Sequence, residues 1–398
     1  MTTIETAAGP TEPMVLNMGP QHPSTHGVLR VILELNGETV LKAKPVIGYL
    51  HTGIEKSCED KTYSQCITLT DRIDYLAPLS NNLAFCLAAE KLIEIEVPKR
   101  AQYIRVLLTE LTRLGSHLVW LGTHAIDLGA MSVFLYCFRE REEILKILEY
   151  VSGQRMMTSY FRIGGLALEP PPGWLERVQR LIDLMPGHID QYEELLTENR
   201  IWIARTKGVG YLSAQDAIAM GVSGPLLRAS GVPYDIRKVF PYSSYDEFDF
   251  EMKTATECDS YARYKVRVAE MRESLKIIRQ ALNKIPSEGP FRAEMPGIVP
   301  PSREEMKTSI EGLIYHFKMF TEGFAPPPGE VYQAIESPRG ELGVFMASDG
   351  SPKPYRVKFR APSFVNLQAL PLLCEGRLIA DTVTCIGTTD IVLGEVDR

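Results

Sequence analysis

At 398 residues the chain is long enough for one large domain or up to three small ones. Hydrophobic residues make up 45% and charged residues 23%, an ordinary globular balance that excludes a disordered or fibrous chain. With 43 Lys plus Arg against 50 Asp plus Glu, the net charge of −7 argues against a nucleic-acid binder, which carries a basic excess.

Residues 1–13 lack the basic and apolar regions of a secretory signal and the arginines of a mitochondrial presequence, and read as a flexible tail of a bacterial protein. A loop too rich in Pro and Gly for regular structure follows, Gly19-Pro-Gln-His-Pro-Ser-Thr-His-Gly27. Strand-like runs over 28–35 and 39–47, joined by Asn36-Gly37, predict a β-hairpin. The pattern then turns helical. Thr70 or Asp71 can cap a helix running to about residue 95, which places Tyr75 near its start, and Pro98 suits the first turn of the next helix.

The 25 residues between Arg113 and Arg139 carry one formal charge, Asp127, and imitate a membrane span in length. A mid-span Asp costs about 2.5–3.5 kcal/mol on insertion scales. His117, His124 and three glycines weigh on the same side. Two buried helices broken near Gly129 are the more economical reading.

Glu169-Pro-Pro-Pro-Gly173 precedes a helix to about residue 197, and a stripe from Tyr261 to Leu282 at spacings of 3 and 4 predicts a long packing helix over 257–283. After Ala325-Pro-Pro-Pro-Gly329 the chain turns to strands, and in 355–360 Tyr355, Val357 and Phe359 alternate with a basic face of Arg356, Lys358 and Arg360. The fold class is α+β, mainly helical. The seven cysteines form no Cys-x-x-Cys pair and read as reduced thiols.

Chemistry is sparse. His22 and His26 are four apart, but Pro23 keeps them off a shared helical face. No Cys cluster has zinc or iron–sulfur spacing, and neither a phosphate cradle nor a Gly-x-Ser-x-Gly elbow is present. No metal is expected on this chain. His26, Tyr75 and Asp127 remain as polar groups in constrained or apolar settings, and each alone has an ordinary structural explanation.

Several stretches together carry a resemblance. Gly19–Gly27, Gly48-Tyr-Leu-His-Thr-Gly-Ile-Glu-Lys56, Tyr160-Phe-Arg-Ile-Gly-Gly165, Arg228-Ala-Ser-Gly231, Tyr315-His-Phe-Lys318, Arg360-Ala-Pro-Ser-Phe-Val-Asn-Leu367 and Gly387-Thr-Thr-Asp-Ile-Val-Leu-Gly-Glu-Val-Asp-Arg398 stand in matching order. Over residues 14–398 the chain resembles the D-type, quinone-site large subunits of bacterial NADH:quinone oxidoreductase (respiratory complex I). That family is related to the nickel–iron hydrogenase large subunit. The resemblance implies one hydrogenase-like helical-bundle domain: a loop and hairpin over 14–50, a helical core over 51–325, and a β-rich segment of C-terminal strands and terminus over 326–398. Hydrogenases hold their metals with two Cys-x-x-Cys motifs. The matching segments here, Arg72-Ile-Asp-Tyr-Leu-Ala77 and Asp390-Ile-Val-Leu-Gly-Glu395, contain no cysteine, so the soft ligands are missing.

The resemblance further implies the site residues. His26 and Tyr75 would donate to the quinone oxygens, and Asp127 would orient His26. His22, Asp390 and Val392 would support or line the pocket. Arg72 would lie near an iron–sulfur cluster held by a neighbouring subunit, while Met157 stands where many relatives carry a histidine. The substrate would be ubiquinone or menaquinone, with NADH and flavin acting on other subunits. The partners would be the remaining complex I subunits, with no nucleic acid. The place would be the cytoplasmic side of the inner membrane, peripherally bound. A ferredoxin-fed relative of complex I and a hydrogenase-like metalloenzyme are the alternatives.

Overall fold

The computed structural model describes residues 13–23 and 26–398. Apart from Pro13, the tail expected over residues 1–13 lies outside the described residues. Asn36-Gly37 closes the expected hairpin, pairing Arg30–Asn36 with Thr39–Val46. A third strand, Met14–Met18, adds antiparallel to the first, with Met18 opposite Val31. Period-two alternation turns Val31, Leu33 and Leu35 into the core.

The near-uncharged stretch is two helices, Lys99–Asp127 and Met131–Ser152, packed as a hairpin around Gly129 at φ 90°. The Ser260–Lys284 helix lies along the first of them, capped by Asp259 and burying Tyr264, Val268, Met271, Leu275 and Ile278 as the stripe predicts. Trp174–Leu196 forms the helix expected after the triple proline. Among the described residues no helix is long and apolar enough to cross a membrane.

Three expectations are corrected. The single helix from 70 or 71 to 95 is two, Tyr63–Thr70 and Pro78–Ile93, separated by a turn that carries Tyr75. Asp71 caps no helix start; its carboxylate accepts the Ser159 N–H (3.1 Å) and hydroxyl (2.5 Å). Asp74 folds the turn by accepting the N–H groups of Leu76 and Ala77, and Pro78 opens the next helix where its missing N–H costs nothing.

The second correction concerns Tyr355, which is 69% exposed and does not share the buried face of Val357 and Phe359. On the basic face, exposed Arg356 and Lys358 also pair with Glu59 and Glu55 across the Ile54–Cys58 helix at 2.9 and 2.8 Å. Third, the strands Gly329–Ser337, Gly340–Ser348 and Arg356–Arg360 form one antiparallel sheet, but beyond it the chain returns to helix. Four short helices follow, Pro362–Leu367, Leu370–Cys374, Ile379–Thr389 and Leu393–Asp397. Pro362 and Pro371 in first turns mark two of these starts.

Two large apolar clusters result. One joins the central helices to the C-terminal sheet and includes Ile73; the other joins the N-terminal sheet to the last helices through Leu29, Leu33, Leu373, Ile386 and Leu393. The segments bearing Tyr75 and His26 are thus anchored in different clusters.

Candidate functional site

His26 ends a loop that doubles back on itself, with His22 bridged to Gly27, and stands at φ 51° in the left-handed region. Its Nε2–H donates to Asp127 Oδ2 at 3.0 Å across 101 residues of sequence, and both side chains are nearly buried, at 12% and 11% exposure. Asp127 is the last residue of its helix. The negative end of the helix dipole disfavours a carboxylate there, and the imidazole supplies the compensating donor.

One turn earlier on the same helix His124 is fully buried, stacked on Trp120 with the edge of Trp202 against it. Burial, then His26 and Arg267, push its pKa down to about 3, so it is a neutral imidazole. Gly387 makes room for it: a β-carbon there would stand 2.3 Å from His124 Nδ1.

Tyr75 is half-buried in its turn. Burial first, then Asp74, raise its phenol above the ordinary range, so it holds its proton at neutral pH. It lines a tight, mostly apolar cleft with Leu76, Pro78, Ile144, Leu148 and Met156 whose free volume is about 10 Å³. A separate groove of about 1290 Å³ contains none of the expected site residues.

Behind Tyr75 lies a buried ionic clamp. Arg339, at the tip of the hairpin between Gly329–Ser337 and Gly340–Ser348, donates from Nη1 to Asp74 Oδ2 at 2.5 Å. Its Nε donates to the Asp390 carbonyl at 2.8 Å and its Nη2 to Asp390 Oδ1 at 3.3 Å. Burial would strip its proton, but Asp390 and Asp74 outweigh that and hold the guanidinium charged. Asp390 itself caps the Ile379–Thr389 helix at φ 53°.

The two segments compared above with the hydrogenase cysteine motifs meet here, Gly394 lying against the backbone of Arg72 and Ile73. Asp74 on one and Asp390 on the other are carboxylates gripped by the Arg339 guanidinium. Among the described residues no group of three or more His, Cys, Asp or Glu could hold a metal ion. All seven cysteines are free and buried.

The comparisons agree on one family. A family model described as the respiratory-chain NADH dehydrogenase 49 kDa subunit matches residues 127–398. The chain is 65% identical over 385 residues to an NADH-quinone oxidoreductase D subunit of Solibacter usitatus, covering 97% of this chain and 94% of the relative. It is 62% identical over 391 residues to a D subunit of the same enzyme from Koribacter versatilis, covering 98% and 97%. With the D subunit of Geotalea uraniireducens the identity is 58% over 388 residues, covering 98% and 99%. The chain belongs to the 49 kDa subunit family of respiratory-chain NADH dehydrogenases.

In this member of the 49 kDa family the expected site residues do not all converge. His26 and Asp127 touch directly. Tyr75 and Asp390 are joined through Asp74 and Arg339. Val392 is 2% exposed and donates its N–H to Ser363 Oγ at 3.3 Å; it is not among the residues lining the cleft beside Tyr75. Arg72 is exposed, with Nη1 donating to the Thr68 carbonyl, and His22 is exposed on the first loop. Sequence reasoning passed over Arg339, Asp74, His124 and Glu395. For His124 the signal was present, three residues before Asp127 on one helix face. For Arg339, in an ordinary Ser-Pro-Arg-Gly turn, there was none.

Glu395 is fully buried, and its Oε2 accepts the Ser363 N–H at 3.0 Å and the Ser363 hydroxyl. Burial, then Asp74, raise its carboxyl from 4.5 to about 7, against the opposing pull of Arg339 and Ser363. The folded state therefore binds this proton more tightly than the unfolded chain. The resulting stability is full below pH 4.5 and is lost as pH rises through about 7. Glu395→Gln is expected to flatten the fall in thermal midpoint of the assembled enzyme across this window. An unchanged slope would show that the carboxyl does not carry it.

Proposed function

We propose that this chain forms the quinone-reducing wall of a proton-translocating NADH:quinone oxidoreductase. In this reading it is active only within the multisubunit complex and is bound peripherally at the cytoplasmic face of the bacterial inner membrane. The His26–Asp127 bond carries the reading: a nearly buried imidazole with a carboxylate partner is a poised proton donor, and the relatives are all named for quinone reduction.

Reducing a quinone to a quinol takes two electrons and two protons. A neighbouring subunit's iron–sulfur cluster would supply the electrons. Tyr75 and His26 are the two donors this chain offers. Each would give a proton to one carbonyl oxygen and recover it from solvent, leaving Tyr75 transiently a phenolate and His26 a neutral imidazole. Asp127 holds the Nε2 side of the imidazole and so fixes which nitrogen faces the substrate. Exposed Arg72 is presented outward, where its fixed charge would favour a reduced cluster on the adjoining subunit.

The cleft at Tyr75, at about 10 Å³, is far below the roughly 300–1,000 Å³ of ligand pockets. The chain therefore supplies one side of the site, and the cluster-bearing subunit is read as the other. The substrate is ubiquinone or menaquinone.

Asp127→Asn tests the reading. It preserves shape but removes the charge, and a hydrogen bond to a charged group is worth about 1.5–3 kcal/mol. Quinone reduction by membranes carrying the variant is expected to fall about tenfold to a hundredfold. NADH oxidation by an artificial acceptor should continue at the parental rate. A variant that reduces quinone normally would remove His26–Asp127 from the mechanism.

A further inference from the structure

His26 sits on a Pro/Gly-rich loop and Tyr75 in a turn between helices, and neither segment has regular structure of its own to hold a donor in place. Both rest on the same five residues. Gly27, next to His26, packs on the Leu393–Asp397 helix, where a β-carbon on Gly27 would stand 3.0 Å from Leu393 Cδ1. The following residue, Gly394, abuts the other segment. A β-carbon there would lie 2.7 Å from the Ile73 carbonyl oxygen, 2.9 Å from that of Arg72 and 3.2 Å from Tyr75 Cε1. Two of those atoms are backbone and cannot rotate aside. Gly394 lies within the helix and is not among the positive-φ glycines, so space and not conformation demands it.

At its far end the helix ties down a third segment. The Asp397 carboxylate accepts the Gly48 N–H at 2.8 Å and the Leu50 N–H at 2.7 Å, and the Asp397 carbonyl lies 2.7 Å from His51 Nδ1. Leu393 and Val396 are each 1% exposed and share an apolar cluster with Leu29 and Leu33 beneath the His26 loop. A five-residue helix has little stability of its own, so these contacts are what fix it.

We propose that the Leu393–Asp397 helix is the spacer that sets the position of the Tyr75 phenol relative to the His26 imidazole, with Gly394 and Asp397 as positioning residues. The proposal rests on the quinone reading above. Two donors serving opposite ends of one small headgroup must both be in register, and a misplacement of about 1 Å costs about a hundredfold in rate. The helix reaches the His26 loop with Leu393, the Tyr75 turn with Gly394 and the Gly48–His51 loop with Asp397, so displacing it moves the donors against each other.

The test uses the assembled enzyme in membranes. Quinone reduction is assayed with a short-chain quinone and normalised to NADH oxidation by an artificial acceptor. Gly394→Ala is expected to lower kcat/KM for the quinone about tenfold or more. Placed on Tyr75→Phe, the same change should cost about twofold or less, because the phenol it displaces is already gone. Multiplicative losses in the double variant would make Gly394 merely structural and overturn the proposal, as would a normal rate in Gly394→Ala alone. Should Gly394→Ala fail to assemble, Asp397→Asn carries the same comparison, since it leaves one of the two loop N–H groups facing an amide. A normal quinone rate in Tyr75→Phe alone would instead defeat the underlying reading of the site, and this proposal with it.

Discussion

Tyr75→Phe is expected to lower quinone reduction by about 10²-fold or more while the electron-input reactions of the complex proceed unchanged. The substitution is conservative in shape. The ring keeps its packing against Gly394 and its place beside Leu76, Pro78 and Met156, and only the O–H is lost. Because burial and Asp74 raise the phenol's proton affinity, the residue that is lost is a protonated donor at neutral pH. The measurement is the ratio of NADH:quinone to NADH:artificial-acceptor activity in the same membranes. A parallel decline of both activities would mean that the variant disturbs assembly and that Tyr75 is no donor.

Arg339→Ala is the second large effect, and it concerns stability. The side chain is 2% exposed and is the shared partner of Asp74 and Asp390, which are 1% and 4% exposed. Removing it leaves two buried carboxylates without their bridging cation, and breaking a buried ion pair costs about 3–5 kcal/mol. Less assembled complex is expected, with a markedly lower midpoint of thermal inactivation. Acidification should relieve part of the loss, because burial raises the Asp74 carboxyl above its ordinary range and a protonated Asp74 is no longer a buried charge. Arg339→Lys keeps a cation but cannot span both carboxylates with a planar fork, so an intermediate midpoint is expected. An alanine variant with the parental midpoint would show that the clamp adds nothing to stability.

Arg339 also shows why parts of the site were invisible in the sequence. Its two partners lie 265 and 51 residues away, and nothing in Ser337-Pro-Arg-Gly340 distinguishes it from a surface turn. Asp71 and Tyr355 failed differently. Local rules assign Asp71 to a helix start and Tyr355 to an apolar strand face, whereas the structure spends Asp71 on Ser159 and leaves Tyr355 exposed. Propensity describes what a segment can do alone, and tertiary partners choose among the options.

By contrast, the Asn36-Gly37 hairpin, the break at Gly129 and the long stripe from Tyr261 to Leu282 were legible, because each depends on turn chemistry or periodicity within a few residues. The ordered motifs likewise marked the family, and with it His26, Tyr75 and Asp127 as the residues to examine. Composition settled less than its arithmetic implied. The −7 net charge conceals arginines deep in the protein, among them Arg105, Arg228 and Arg339, whose carboxylate partners are brought together only by folding.

Local chemistry thus set a repertoire: helices from 3.6-residue periodicity, a hairpin from its turn dipeptide, reduced thiols without ligand spacing, and the motif order of a family. Proximity came from folding alone. The His26–Asp127 bond spans 101 residues, and the Arg339–Asp74 pair spans 265. The contact of Gly394 with Tyr75 joins the first helices to the last. Such contacts arise because burying apolar faces in two clusters leaves their polar residues at the seam, and hydrogen-bonded pairing is what makes a buried charge tolerable there.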